Sequence, residues 1–244
     1  PAIAIFGLWK SGGLVALALG SLATSMLTAV GNILLVRSHI AGAVVSVHTE
    51  IDVKYWVVRM WPAIWRTGLI SIGAYLAYYA NTAWTAKHVS LSEAASYGLA
   101  FQCIQLAMVI AALPLTLSVP AISWKWAQGK YESAWKIFIV KHLSTLAIFI
   151  FIVSILLVFG EMILLATGSK TPLLSGGQMM LMCFIYLLEV NHSGFATFLM
   201  ATDRLPFVWA SICSGLLIAI IGNFSAKAYG GYGLLFTVFI VQAA

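Results

Sequence analysis

Charge is what this chain has least of: Asp, Glu, Lys and Arg together make up 8% of its 244 residues, against about a quarter in an ordinary soluble domain. So few charged groups cannot build a water-facing surface around a core, which excludes a soluble globular protein. Cysteine is scarce as well. Cys103, Cys183 and Cys213 each fall inside an apolar run, where a thiol packs as a small apolar group, so neither a disulfide framework nor a metal site is indicated. Also missing are the GxxxxGK[ST], HExxH and GxSxG patterns and any Cys/His cluster with metal spacing, which removes support for ATP hydrolysis, for other enzymatic chemistry and for a metal cofactor.

Long apolar runs take the place of charge. Hydrophobic residues make up 62% of the chain and its mean hydropathy is +1.00. A helix needs about 20 apolar residues to cross a hydrocarbon layer of ~30 Å, because in lipid the backbone must satisfy its own hydrogen bonds. The runs here have helix length, which excludes a barrel. Seven spans are expected, over 14–36, 68–86, 97–124, 143–167, 178–200, 209–225 and 232–244. The fold class is therefore all-α, a polytopic helical membrane protein. The last run holds 13 residues and the chain opens at Pro1, so an excerpt of a longer protein is expected. The first run lacks the basic leader and small-residue site of a cleavable signal peptide.

The basic residues carry an orientation. Counted from before the first span, the odd-numbered loops hold four Lys and Arg and the even-numbered loops hold nine, with Arg37, Lys54, Arg59 and Arg66 in one and Lys125, Lys130, Lys136 and Lys141 in another. Cytoplasmic loops retain cations, so residues 37–66, 125–142 and 201–207 are expected in the cytoplasm. These cations lie beside spans rather than in a stripe on a folded domain, which points to anionic lipid headgroups and away from nucleic acid. Residues 37–66 and the region of Trp135, Lys136, Phe138 and Lys141 read as amphipathic helices on the cytoplasmic face. Pro114 and Pro120 should bend the third span, since each lacks an amide donor and crowds the preceding turn.

An ionisable group at mid-membrane costs at least ~2.5 kcal/mol by insertion scales, so each needs a partner, a water cavity or a function. Glu189 lies near the middle of the fifth span, with His192 three residues on and Tyr186 one turn before. That spacing suits a carboxylate sharing or relaying a proton, or else a Glu satisfied by a hydrogen bond from a neighbouring helix. On the second span Ser71, Tyr75, Tyr78, Thr82 and Thr85 recur at helical spacing, with Asn81 one position off and Tyr79 and Trp84 adding ring surface. Such a stripe lines a path for sugars or forms a packing seam. Gln102 and Gln105 make a further polar pair on the third span. Arg66 at the mouth of the second span suits bidentate phosphate contact, or snorkelling to headgroups. Asn32, Asn223 and Gln242 read as isolated amides that join helices.

A family resemblance rests on Trp61-Pro62-Ala63-Ile64-Trp65-Arg66-Thr67-Gly68, on Leu91-Ser92-Glu93-Ala94-Ala95-Ser96-Tyr97-Gly98-Leu99 with Gln102, and on Pro120 followed by Gly129. It continues in Asn191-His192-Ser193, in residues 201–207 and in Gly230-Gly231-Tyr232-Gly233-Leu234 leading to Gln242. The chain resembles the second half of polysaccharide-transport flippases, the O-antigen branch of the multidrug/oligosaccharidyl-lipid/polysaccharide exporter superfamily. The resemblance implies that residues 1–36 hold the last helix of an amino-terminal lobe, 37–66 a cytoplasmic inter-lobe linker and 67–244 a carboxy-terminal lobe truncated in its last helix. It implies a multi-pass protein of the bacterial inner membrane that flips undecaprenyl-diphosphate-linked oligosaccharide repeat units, works beside polysaccharide polymerase machinery and breaks no covalent bond. Arg66 would then meet the diphosphate, and Tyr75, Tyr78, Asn81, Thr82, Gln102 and Gln105 would line the sugar path. Glu189 and His192 would couple transport to H+ or Na+. A multidrug antiporter using Glu189, a membrane glycan polymerase or acyltransferase, and a scaffold subunit are the rival readings.

Overall fold

The computed structural model describes residues 26–28, 30, 31, 34, 53–166, 171–202 and 206–243. The chain divides into two units, Pro1–Val57 and Val58–Ala244. In the first, the described residues between 26 and 34 are helical, and Met26, Leu27, Val30 and Leu34 are exposed. The rest of the expected first span, and residues 37–52 of the expected linker, lie outside the described residues.

The described residues of the second unit form helices joined by short turns: α1 (Val53–His88, which begins just before the boundary), α2 (Leu91–Thr116), α3 (Val119–Ala127), α4 (Tyr131–Ala166), α5 (Gly176–Ala201) and α6 (Val208–Ala243). Four stretches among these residues are long and apolar enough to cross a membrane: Leu91–Ala127, Tyr131–Ala166, Gly176–Ala201 and Val208–Ala243. The chain is thus an all-helical, membrane-embedded protein. The expected third and fifth spans each fall within one of these stretches, and so does the expected fourth up to Ala166, its last residue, 167, lying outside the described residues. The expected second span is helical but absent from the four, because the Tyr, Thr and Asn residues of its stripe dilute its apolar character.

Local chemistry sets the ends. Ser90 caps α2 from extended backbone, its Oγ accepting from the Glu93 amide at 3.0 Å, in the Ser-x-x-Glu pattern of a capping box. The helix is interrupted between the two prolines: α2 stops at Thr116, the Ser118 Oγ donates to the Pro114 carbonyl at 2.7 Å, and α3 resumes with Pro120 in its first turn. Gly129, at φ 75°, turns the chain into α4, a conformation that costs glycine nothing.

Both stretches expected as surface helices are helical and continuous with longer elements: residues 53–66 run unbroken through Pro62 into α1, and residues 131–142 run into α4. Each helix has 36 residues, so it is about 54 Å long at 1.5 Å per residue and overreaches a hydrocarbon layer of ~30 Å.

The residues of the expected sixth and seventh spans fall in the two arms of α6, 208–229 and 231–243, which together make one of the four stretches. Gly230 between the arms sits at φ 62° and ψ −148°, a region essentially reserved for glycine. The Thr237 Oγ1 donates to the Ser225 Oγ at 2.8 Å, whereas twelve residues of unbroken helix would hold them about 18 Å apart. The chain therefore doubles back at Gly230. The first arm runs alongside α1 in the same direction, with the Ser211 Oγ donating to the Ile70 carbonyl at 3.2 Å. Gly73 and Gly215 bring the two backbones into contact, and a methyl on either would strike the other helix.

The main core gathers Tyr97, Phe101, Ile104, Met182, Ile185, Ile218 and Leu234 from α2, α5 and α6. A smaller cluster of Leu115, Ile122, Ala134, Phe138 and Phe198 closes the end where α3 meets α4 and α5.

Candidate functional site

Three helices converge on Glu189. The carboxylate projects from α5 and is half-buried. The Tyr78 hydroxyl, from α1, donates to its Oε1 at 2.5 Å, and the Gln242 Nε2, from the second arm of α6, donates to its Oε2 at 3.0 Å. Each carboxylate oxygen thus has one neutral donor. The Gln242 Oε1 is buried and has no hydrogen-bond partner.

Aromatic rings wall the site. The Tyr78 ring lies 5.9 Å from Phe101 and 6.1 Å from Tyr186, and Phe101 and Tyr186 are 5.7 Å apart between centroids. These spacings fall in the range of favourable aromatic pairs. Tyr97, 2% exposed, closes the layer beside Asn81.

The predicted residues separate into distinct places. His192 is exposed on α5 and is absent from the contacts of Glu189. Its neighbour Asn191 turns toward α4, where its Oδ1 meets the His142 Nε2 at 3.1 Å. The stripe on α1 changes character along its length. Ser71 and Tyr75 are exposed and Tyr78 reaches the carboxylate, while Thr82 packs beside Gly98 and Thr85 is 1% exposed. Asn81 is also 1% exposed, its Nδ2 donating to the Ala77 carbonyl at 2.7 Å. Tyr75 stacks on Tyr79 with centroids 4.9 Å apart, both rings exposed, and Tyr79 meets Phe101 edge-on at 5.8 Å. On α2, Gln102 is exposed and Gln105 half-buried. Arg66 is exposed, its guanidinium 5.7 Å from the Trp65 ring. Twelve residues of α1 separate it from Tyr78, about 18 Å along the helix, so it does not join the carboxylate site.

The sequence marks Gln242 as a helix-joining amide and does not pair Tyr78 with Glu189. The one available signal was that an isolated mid-span carboxylate needs donors, for which a Tyr and a Gln on other spans were candidates. Among the described residues no group of His, Cys, Asp and Glu could hold a metal ion. No protein-family model, no curated protein and no solved structure matches this chain.

Proposed function

We propose that this chain is part of a transporter that flips undecaprenyl-diphosphate-linked oligosaccharide across the bacterial inner membrane for surface polysaccharide synthesis. The observation that carries transport is the carboxylate of Glu189, clasped by Tyr78 and Gln242 from two other helical segments. An ionisable group inside a membrane protein is expensive and marks ion or substrate pathways. Its binding of H+ or Na+ would loosen or exchange the two donors and so alter how α1, α5 and the second arm of α6 fit together.

The glycan reading is supported by the exposed, stacked rings of Tyr75 and Tyr79. Apolar faces with polar edges suit sugars, and the exposed amide of Gln102 supplies a donor and an acceptor. Arg66 is free in its exposure to meet a diphosphate with its planar fork of donors. The resemblance described above remains the ground for naming the lipid carrier.

A cation antiporter is the second reading, favoured by one observation: the site's charged group is an acid walled by Tyr78, Phe101 and Tyr186. Rings around a carboxylate also suit an organic cation. Complementation of cells lacking their own flippase separates the two. Restored surface glycan, lost again in Arg66→Ala, supports flipping; unrestored glycan with raised tolerance to cationic drugs supports the antiporter.

A further inference from the structure

The turn between α3 and α4 joins two lysines through their backbones. The Lys130 amide donates to the Lys125 carbonyl at 3.0 Å and the Gly129 amide to the Trp126 carbonyl at 2.9 Å, the pair of bonds that closes a helix when a glycine at positive φ follows its cap. Gly129, at φ 75°, is that glycine. The two residues joined by the longer of these loops commonly make an apolar contact, but here both are Lys. Like charges held on touching backbones repel each other, and among the described residues neither ammonium has an acidic partner. The carboxylate nearest in sequence, Glu132, is engaged by Lys136 at 2.7 Å. Nothing lies within 4 Å of the place that a Cβ on Gly129 would take, so the turn is open on that side. The amides of residues 128–130 are all bonded within the turn, which leaves the two lysines as the groups that an anion would meet.

The side chains around the turn say what kind of anion fits. Trp124, Tyr131 and Trp135 are all exposed, and the turn links two of the stretches that are long and apolar enough to cross a membrane, one ending at Ala127 and the other starting at Tyr131. Water disfavours large apolar rings gathered on a surface, whereas the boundary between hydrocarbon and headgroups accepts Trp and Tyr. The turn is also held in place. The Trp126 ring lies 4.6 Å from Tyr131 and 5.7 Å from Phe198 of α5, and the Ser123 Oγ donates to the Ala201 carbonyl at 2.9 Å. A fixed pair of unneutralised lysines is therefore set among interfacial rings, at the level where lipid phosphates lie.

We propose that the α3–α4 turn is a binding site for a membrane phospholipid of net negative charge, whose phosphate bridges the ammonium groups of Lys125 and Lys130. Lys suits this role as a compact point charge on a flexible stem, and two of them can close on one phosphate from either side. A zwitterionic lipid carries its own cation beside the phosphate, and the lysine pair repels that cation. The bound lipid relieves the repulsion built into the turn and ties the junction of α3 and α4 to one face of the membrane. The site is separate from the Glu189 clasp and does not rest on the flipping reading.

The test is native mass spectrometry of the full chain in detergent, titrated with dioleoylphosphatidylglycerol and, in parallel, with dioleoylphosphatidylcholine. The first phosphatidylglycerol is expected to bind more tightly than the first phosphatidylcholine. Lys125→Gln with Lys130→Gln should lower that first affinity about thirtyfold, equivalent to about 2 kcal/mol, and each single variant, should the double one not fold, about fivefold. Lys125→Arg with Lys130→Arg should retain it, and Lys227→Gln, at an exposed position on α6, should leave it unchanged. Equal first affinities for the two lipids overturn the proposal. An equal loss in Lys227→Gln also overturns it, because net charge and not the turn would then govern binding. Displacement of the bound lipid by glycerol 3-phosphate would assign the lysines to soluble phosphate esters and overturn the lipid as occupant.

Discussion

Tyr78 donates its hydroxyl hydrogen to Glu189 across 111 positions of chain, joining α1 to α5 at a carboxylate that three helical segments share. Hydrogen bonds to charged groups contribute about 1.5–3 kcal/mol. Tyr78→Phe keeps the ring among Phe101 and Tyr186 and removes only the donor, so a loss of roughly that size is expected in the wild-type background. In a Glu189→Gln background the same substitution should lose much less, because an amide carbonyl needs the donor less than a carboxylate does. Thermal unfolding of the four proteins of the cycle in detergent measures the difference; equal losses in both backgrounds would deny the pair its energetic coupling.

Glu189→Gln should also make glycan transport insensitive to the ion gradient while the protein stays folded. Flux into inverted vesicles, measured over a series of imposed H+ and Na+ gradients, reads this directly. Wild-type dependence on every gradient would remove Glu189 from coupling.

The reversal at Gly230 places Ser225 against Thr237. Cysteines at both positions, in a protein whose Cys103, Cys183 and Cys213 are replaced by Ala, should form a disulfide under mild oxidation, since the two side chains already touch. An unbroken helix would hold them apart and give no cross-link. Gly230→Ala forces a side chain into positive φ and should cost about 1–3 kcal/mol, seen as a lowered unfolding temperature.

Gly73 and Gly215 make the close crossing of α1 and the first arm of α6. Overpacking a tight contact costs about 1–3 kcal/mol, so Gly73→Ala should unfold at a lower temperature than wild type. Gly68→Ala, on the same helix with nothing within 4 Å of its added methyl, should be unharmed, because alanine is the better helix former. Matched losses in the two variants would mean that the crossing is not tight.

Much of this architecture is legible from apolar run length alone, which is why the third and fifth expected spans, and the fourth up to Ala166, lie inside the apolar helical stretches. What periodicity cannot reveal is the direction in which a packed face ends. His192 sits three residues from Glu189, a rotation of about 60° on the helix, and that angle is enough to take it from the packed face into exposure. Residues 131–142 are expected in a cytoplasmic loop, yet they are the start of α4, where His142 is 3% exposed. The partners of Glu189 were hidden for another reason. Tyr78 and Gln242 meet it only through tertiary packing, which leaves no local trace in the sequence.

The stacked pair of Tyr75 and Tyr79 gives the most selective test of the glycan path. Both rings are exposed and, among the described residues, make no hydrogen bond that Phe at either position would lose, while Ala at both removes the platform. Tyr75→Ala with Tyr79→Ala should lower flux of lipid-linked oligosaccharide by at least tenfold, equivalent to about 1.4 kcal/mol, within the range expected for losing one or two aromatic contacts. Tyr79 also touches Phe101 edge-on, so some loss of stability is expected, and Tyr75→Ala alone separates the effects because Tyr75 reaches only Tyr79 among the described rings. Flux measured with substrates of decreasing sugar number then decides the matter. A defect that fades as the glycan is shortened places the rings on the sugar, whereas one that is constant for every length assigns them to packing.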